Sequence, residues 1–398
     1  MSSVFESGIR VRGWKGYTAL ILLWQLTASA CFYSVYAVTP FVREEFGVSA
    51  TLVGVMMTAL TLGYTVFLLP IGSFIDEYGE DRALVGGLVG LGLGAVGVTV
   101  APTYLVLLAS VFVVGAFYAT AMPGTNKAVF NAVPDERLNT SMGIKQVGVT
   151  AGSGISSVLV PWFGATRFGW KVAFLLAAGV AAATSIVFWA SYDAGGRGSD
   201  GGRDGIRARL AEPSYLLLIA AGFALGAGLF TTVGYTILYV DEAVGASVVV
   251  AGVTLAAAQV AGSAGRLAFG WLADRLSAPL TVSTLRILCL QAAASVVLFL
   301  AVPFAGSALT GLVLFSLLGF FILGFTGVYY SCIGSIVPSE EMGSATAGAQ
   351  IALNCGALIA PPTFGFLVDV TGYDAGWTML AAMAFLGFVF LVVLLRRT

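Results

Sequence analysis

The sequence predicts an all-α membrane protein with twelve spanning helices arranged as two six-helix pseudo-repeats. Of its 398 residues, 58% are hydrophobic and 10% are charged, whereas about a quarter of the residues in a soluble domain are charged. Its apolar runs reach the ~20 residues that a helix needs to cross a ~30 Å hydrocarbon core. Short motifs of the first half also recur in the second. Because the runs are continuously apolar, they do not fit the alternating strands of a β-barrel.

The first half supplies six predicted spans, separated by short polar or turn-forming segments. They cover residues 17–39, 50–71, 83–101, 104–127, 141–163 and 170–190. The second half supplies six more, at 214–239, 247–272, 280–302, 307–332, 344–368 and 374–395. We therefore divide the chain into a first half, 1–191, a polar linker, 192–213, and a second half, 214–398. Basic residues precede a first run of full length, so we expect no cleavable signal peptide.

The two halves repeat each other in several motifs. Gly72-Ser-Phe-Ile-Asp76 after span two matches Gly270-Trp-Leu-Ala-Asp274 after span eight, at an offset of 198 residues. Further matches at an offset of 204 pair Val133-Pro134 with Val337-Pro338, Gln146 with Gln350, and Gly152 with Gly356. Parallel six-span repeats predict a central site at the interface of the halves and rocking around that site.

The distribution of lysine and arginine predicts the orientation of the spans. One side of the membrane receives Arg10, Arg12, Lys15, Arg82, Arg137, Arg197, Arg203, Arg207, Arg209, Arg275, Arg396 and Arg397. The other side receives only Arg43, Arg167 and Lys171. We expect both termini and the linker to be cytoplasmic, in a multi-pass protein of the plasma membrane.

Four basic residues lie within or at the rim of apolar runs: Lys127, Lys145, Arg266 and Arg286. The chain has no histidine, and we expect no aspartate or glutamate at any depth in a span. A charge in the bilayer costs at least ~2.5–3.5 kcal/mol, so this pattern predicts an anion pathway. Arg286 opens span nine, and its side chain is expected to reach the headgroups.

The repeated loop motif resembles that of the major facilitator superfamily, whose signature is Gly-x-x-x-Asp-Arg-x-Gly. The resemblance covers the whole chain and implies that family's twelve-helix fold. It also implies gating roles for two sets of residues, Gly72, Asp76 and Arg82 in the first half and Gly270, Asp274 and Arg275 in the second. Glu77 stands where the family usually has arginine, which puts the usual charge pairing of the first loop in doubt.

A finer resemblance centres on span eight. The segment Gly265–Arg275, with Arg266 second, looks like the oxalate/formate antiporter and monocarboxylate transporter branch. The branch implies that Arg266 anchors a carboxylate, a role that suits the forked guanidinium. Lys127 or Lys145 is the predicted second positive site, and the alternative for each is a side chain that extends to the headgroups.

The implied fold lines its cavity with spans one, four, seven and ten, beside two, five, eight and eleven. The further substrate-binding candidates are Tyr33, Tyr36, Tyr118, Gln146, Tyr235, Gln259, Tyr329, Tyr330 and Asn354. Tyrosine offers an apolar wall and a hydrogen-bond donor. The alternative for each is helix packing.

The sequence thus predicts a secondary active or facilitative transporter of a mono- or dicarboxylate, acting as a monomer by alternating access. Exchange, uniport and a proton carried with the substrate all stay open. The alternatives are a drug exporter of the same fold, a nitrate-like inorganic anion porter and a membrane sensor without transport. No motif indicates an enzyme, a metal, a cofactor or a nucleic-acid partner.

Overall fold

The computed structural model describes residues 13–192, 212–338 and 342–398, and within them it confirms the predicted all-α architecture. Twelve helical segments are long and apolar enough to cross a membrane. In the first half they are Gly13–Ala37, Ala50–Tyr78, Glu80–Val100, Tyr104–Ala132, Thr140–Gly164 and Lys171–Ser191. In the second half they are Pro213–Glu242, Val248–Arg275, Leu280–Phe304, Ala308–Ile336, Ala345–Thr371 and Tyr373–Leu395. We number them spans one to twelve.

The chain folds into two compact units. The first comprises Met1–Val38 and Ala59–Ser199, and the second comprises Thr39–Thr58 and Asp200–Thr398. The predicted half boundaries at 191 and 214 stay predictions. Most of the predicted linker lies outside the described residues, and so do Arg10, Arg12 and the linker arginines.

The second unit takes in the start of span two because that segment is bonded to span eleven. Asp369 accepts hydrogen bonds from the backbone N–H groups of Ala50 and Thr51 at 2.9 and 2.8 Å, and from the Thr51 hydroxyl at 2.6 Å. A carboxylate at this position caps the helix and complements its dipole. Tyr235 of span seven donates to the Ala50 carbonyl at 2.7 Å.

Spans four and ten are interrupted at equivalent places. Span four consists of helices Tyr104–Tyr118 and Ala121–Ala132. Span ten consists of helix Ala308–Leu318, a π-turn and helix Phe325–Ile336. The second helix of each span begins and ends 204 residues apart, at the offset of the sequence repeat. In span four the cause is Pro123, whose ring clashes with the carbonyl four residues earlier and whose nitrogen donates no hydrogen bond.

Glycines bring span pairs together at equivalent places in the two units. A Cβ on Gly115 would meet the Leu60 carbonyl of span two, and a Cβ on Gly319 would meet the Ala258 carbonyl of span eight, both well inside van der Waals contact. These positions are related by the offsets 204 and 198 that the sequence motifs show. A similar relation, at offsets of 204 and 197, joins the contact of Gly152 with Leu26 to that of Gly356 with Phe223. The close crossings of two helices, at which the backbones touch through a glycine, are therefore repeated in the two units.

One expectation about the loop motif is wrong. The segment Gly72–Asp76 lies within the helix of span two, which continues to Tyr78, and the turn is made by Gly79 at φ 92°. Gly270–Asp274 is likewise helical within span eight. A helix can continue beyond its apolar run, because its backbone hydrogen bonds form within the helix whether the side chains are apolar or polar. Gly79 ends span two because glycine accepts a positive φ without steric cost.

Candidate functional site

Lys145 is a fully buried cation of the first unit. It lies in the helix Leu138–Gly164, and only 1% of the residue is exposed. Its ammonium donates to the Asn126 side-chain oxygen in span four. One amide oxygen satisfies one of the three donors of an ammonium, so the contact does not balance the charge of the lysine.

A chain of polar side chains runs beside this pair in spans one and four. The Thr125 hydroxyl donates to the Gln25 amide oxygen at 3.2 Å, and the Gln25 amide nitrogen donates to the Ser29 hydroxyl at 3.3 Å. The Ser29 hydroxyl lies 3.2 Å from that of Tyr118. Gln25, Ser29 and Thr125 were not among the predicted site residues. Their signal is a polar residue inside an otherwise apolar span, where an unsatisfied polar group is costly.

Aromatic rings gather around Tyr118. It stacks on Phe32 with 4.1 Å between ring centroids, and Tyr64 lies 5.8 Å away. Tyr33 and Tyr36 contact each other, with centroids 5.8 Å apart, and both also contact Phe32. The structure therefore brings the three predicted tyrosines of the first half into one aromatic cluster.

Lys127 is engaged elsewhere. Its ammonium donates to the Ile75 carbonyl at 3.0 Å and pairs with the Asp76 carboxylate at 3.3 Å. The predicted gating aspartate thus has a basic partner on span four. Since Lys127 is held at the C-terminal end of span two, Lys145 is the better candidate for a second positive site.

Glu80 is a buried acid at the first residue of span three, a position that the sequence did not single out. Span three begins at Glu80 rather than at residue 83, and the residue is 4% exposed. Its carboxylate accepts from the Asn131 amide at 2.7 Å and from the Tyr192 hydroxyl at 3.0 Å. Burial raises the pKa of Tyr192 and the carboxylate raises it further, so the phenol stays protonated and donates. Asp369, described above, is one of several further acids at span ends that the predicted boundaries left outside, as Asp76 and Asp274 are.

Arg266 lies in the second unit, in span eight, against the interruption of span ten. Its Nε donates to the Leu323 carbonyl at 3.2 Å. Leu323 is the last residue of the π-turn Gly319–Leu323, and such turns occur often at functional sites. A Cβ on Gly265 would meet the Phe320 carbonyl. The glycine contact therefore lets the two backbones approach closely enough for the arginine to reach the π-turn.

Two spans of the second unit share a polar chain. The Tyr330 hydroxyl donates to the Gln350 amide oxygen at 2.5 Å, and the Gln350 amide nitrogen donates to Asn354 at 2.9 Å. Asn354 is fully buried. Nearby in sequence, the Tyr329 hydroxyl is buried and forms no hydrogen bond within the described residues, and the same holds for the Gln259 amide nitrogen of span eight.

The remaining candidates lie apart from these groups. Gln146 and Arg286 are exposed. Tyr235 is fully buried and bonded to the Ala50 and Pro361 carbonyls, so its hydroxyl serves packing. At the loop motifs, Arg82 and Asp274 are exposed and form no ion pair within the described residues, and Arg275 lies over the Trp271 ring at 3.9 Å. Gly72 and Gly270 have open space where a side chain would project.

Comparison with known proteins finds a matching family model and three similar transporters whose names refer to organic acids. The sequence model of the Major Facilitator Superfamily matches residues 21–347. A hexuronate transporter of Bacillus subtilis strain 168 is 25% identical over 365 residues, covering 86% of this chain and 85% of that protein. A D-galactonate transporter of Escherichia coli is 20% identical and covers 94% of both chains. A probable sulfoacetate transporter of Cupriavidus necator is 23% identical and covers 87% of this chain and 86% of that protein.

Solved structures of low sequence identity share the fold. A bacterial homologue of the human lysosomal transporter Spinster superposes with a TM-score of 0.76 at 15% identity, covering 96% of this chain and 94% of that chain. The nucleoside transporter NupG superposes with a TM-score of 0.80 at 12% identity, covering 94% and 99%. At such identities these structures support the fold alone.

Proposed function

The chain belongs to the Major Facilitator Superfamily, and on that premise we propose that it transports a small organic anion by alternating access. Membership confirms the predicted family and a transporter rather than an enzyme. The finer likeness to oxalate/formate and monocarboxylate transporters stays a prediction.

The observation that carries the proposal is the charge inside the spans. Lys145 is buried beside a neutral amide, and Arg266 lies within span eight at the π-turn. A cation in a span costs several kcal/mol unless an opposite charge or a set of hydrogen bonds offsets it. An anionic substrate bound at either residue offsets that cost.

The relatives narrow the class of anion. Their names refer to a hexuronate, D-galactonate and, for one described as probable, sulfoacetate. These compounds are small, carry a carboxylate, and add hydroxyl groups or a sulfonate. We infer a substrate of this kind, and we keep Arg266 of the second unit as its predicted carboxylate anchor and Lys145 of the first unit as a separate candidate cation.

Arg266 is suited to the role of anchor. A guanidinium has five N–H donors in a rigid fork, and the Leu323 carbonyl accepts from Nε. That bond holds the side chain against the π-turn, and we propose that the guanidinium binds the carboxylate. Polar side chains such as Tyr330, Gln259 and Asn354 stay candidates for the substrate's hydroxyl groups.

The test is uptake by purified protein in liposomes. We expect the wild type to take up labelled D-galactonate or D-glucuronate, and Arg266→Ala to reduce uptake about 30-fold or more, as losing one partner of a buried charge pair typically does. Arg286→Ala is the matched control, since that arginine is exposed in span nine. Undiminished uptake by Arg266→Ala would remove the anchor. If the wild type carries neither sugar acid, sulfoacetate nor oxalate, the organic-anion proposal fails.

A further inference from the structure

We propose that Arg266 controls the interruption of span ten. Its bond to the Leu323 carbonyl keeps one backbone hydrogen bond of the helix from forming, and an anion bound to the arginine lets that hydrogen bond form. The donor of the new bond is the N–H of Gly327, a residue that the sequence did not single out. The inference rests on the proposed function and gives the binding of the anion a structural consequence.

The interruptions of spans four and ten have different causes, although they lie at equivalent places. In span four, Pro123 has no N–H for the carbonyl of Ala119, four residues earlier. At the offset of 204, Gly327 stands in the place of Pro123, and a glycine has an N–H. The same offset puts Leu323 in the place of Ala119, and the residues Ala308–Ile336 contain no proline. A missing N–H therefore does not explain the interruption of span ten.

The Leu323 carbonyl lies outside the backbone ladder of the second helix of span ten. That helix begins at Phe325 with Gly324 as its N-cap, and the carbonyl of an N-cap accepts the first bond of the ladder. The N–H of Gly327 belongs to the first turn, whose N–H groups have no partner in the ladder. In a continuous α-helix this N–H would donate to the Leu323 carbonyl, four residues earlier. The interruption thus includes one backbone bond that has both of its groups in place.

Arg266 lies at both ends of this unformed bond. Its Nε donates to the Leu323 carbonyl at 3.2 Å. Its stem passes over Gly327, where an added Cβ would lie 3.7 Å from the arginine Cβ and 3.9 Å from its Cγ. At the offset of 198, the counterpart of Arg266 in the first unit is Leu68, which has no hydrogen-bond donor in its side chain. In span ten the arginine therefore satisfies the carbonyl that the ladder leaves out.

An anion changes this arrangement at the guanidinium. A carboxylate takes two N–H groups of a guanidinium at once and carries the opposite charge, so it is a stronger acceptor than a carbonyl. When the carboxylate takes the Nε–H of Arg266, the buried Leu323 carbonyl loses its donor, which is costly within a membrane span. The N–H of Gly327 then replaces the arginine, and the second helix gains a residue at its start.

The exchange is reversible, and this distinguishes it from the interruption of span four. A proline never supplies an N–H, so span four keeps its interruption in every state of the transporter. Span ten instead has two arrangements, and an anion favours the second because it binds the guanidinium that has left Leu323. Release of the anion returns the arginine to the carbonyl.

The first experiment needs no anion. Without the arginine, the Leu323 carbonyl should accept from Gly327 at all times. We expect the Gly327 amide of purified Arg266→Met protein to exchange its hydrogen about tenfold more slowly than in the wild type. Arg286→Met removes an exposed arginine of span nine and should leave this amide unchanged. Equal exchange in Arg266→Met and the wild type would overturn the proposal, whatever the protein transports.

The second experiment adds D-galactonate to the same proteins. Exchange of the Gly327 amide should slow in the wild type and stay as it is in Arg266→Met, where the backbone bond is already formed. Binding of galactonate to the wild type with no change at Gly327 would refute the link between the anion and span ten and leave the proposed function intact.

The third experiment gives span ten the proline of span four. Gly327→Pro removes the N–H at a place where the equivalent helix already accepts Pro123. We expect its uptake of D-galactonate in liposomes to fall about tenfold or more, with the affinity for galactonate within about threefold of the wild type. Gly327→Ala keeps the N–H, and its Cβ would make an ordinary contact with the arginine stem, so it should transport like the wild type.

The outcomes separate the two proposals. Wild-type uptake by Gly327→Pro would show that the backbone bond is not needed and would overturn the role of Arg266 in span ten. A wild type that carries no organic acid would remove the proposed function alone, because exchange at Gly327 in Arg266→Met is measured without any anion.

Discussion

Spans four and five of the first unit and spans ten and eleven of the second occupy equivalent places in the repeat but hold different polar groups. At the offset of 204, Asn126 corresponds to Tyr330 and Lys145 to Ala349, the neighbour of Gln350. The first pair is a buried cation on an amide, and the second is a tyrosine on an amide that continues to Asn354. The glycine crossings are alike in both units. This helix packing, which we call the frame, is therefore repeated, while the buried charge is not.

The difference indicates a division of tasks. A neutral chain of hydrogen bonds joins two helices with every partner satisfied, as a structural contact requires. A lone buried cation stabilises nothing until an anion arrives. We therefore expect substitutions in the shared frame to affect folding in both units, and substitutions at the polar pairs to separate folding from transport.

The largest effect is expected at the glycine crossings. Gly115→Ala and Gly319→Ala each place a Cβ against a backbone carbonyl that has no room to move, so each should cost about 3 kcal/mol or more. Thermal unfolding and the yield of monodisperse protein in detergent measure the loss. Gly154→Ala, with open space around it, is the control and should be neutral or stabilising. If only one of the two substitutions lowers the stability, the glycine crossings of the two units are not equivalent.

The next effect separates the two polar pairs. Lys145→Met should lower organic-anion uptake about 100-fold without lowering the unfolding temperature, because it removes a buried charge that lacks a counter-ion. Gln350→Met should do the reverse. It should cost about 1–3 kcal/mol of stability, because Tyr330 and Asn354 each lose a hydrogen bond to the glutamine, and it should change uptake less than tenfold. Parallel uptake and melting measurements decide, and a destabilised Lys145→Met protein would make the lysine structural.

The smallest effect is expected one residue before each polar pair, at Thr125 of span four and Tyr329 of span ten. Thr125→Val leaves the buried Gln25 oxygen without its donor and should cost about 1–2 kcal/mol. Its repeat counterpart, Tyr329→Phe, removes a hydroxyl that has no partner in the described residues, and should leave the unfolding temperature unchanged. A raised KM for the sugar acid in Tyr329→Phe would mark that hydroxyl as a substrate contact, and an unchanged KM would leave it as packing.

The sequence predicted the twelve spans and the repeat because both depend on composition and on motifs that recur at fixed distances. It missed Glu80 because a helix continues past the last apolar residue, and the hydropathy of a run does not show where the backbone turns at Gly79. It could not choose between Lys127 and Lys145, because each lies eight residues, about 12 Å along a helix, from the charged loop that joins spans four and five. That choice depends on Asp76, a residue distant in sequence from both, and contacts of this kind come from tertiary packing.

The interruptions of spans four and ten change what these helices can do mechanically. Each span is 29 residues long, and an unbroken rod of that length tilts as one body. A helix divided near its middle instead bends at a joint, because the local ladder of backbone hydrogen bonds is already incomplete there. The residues after each joint, which include Asn126 and Tyr330, can then swing while the residues before it hold still. Amide hydrogen exchange should find this joint as a fast-exchanging band in the middle of an otherwise protected helix.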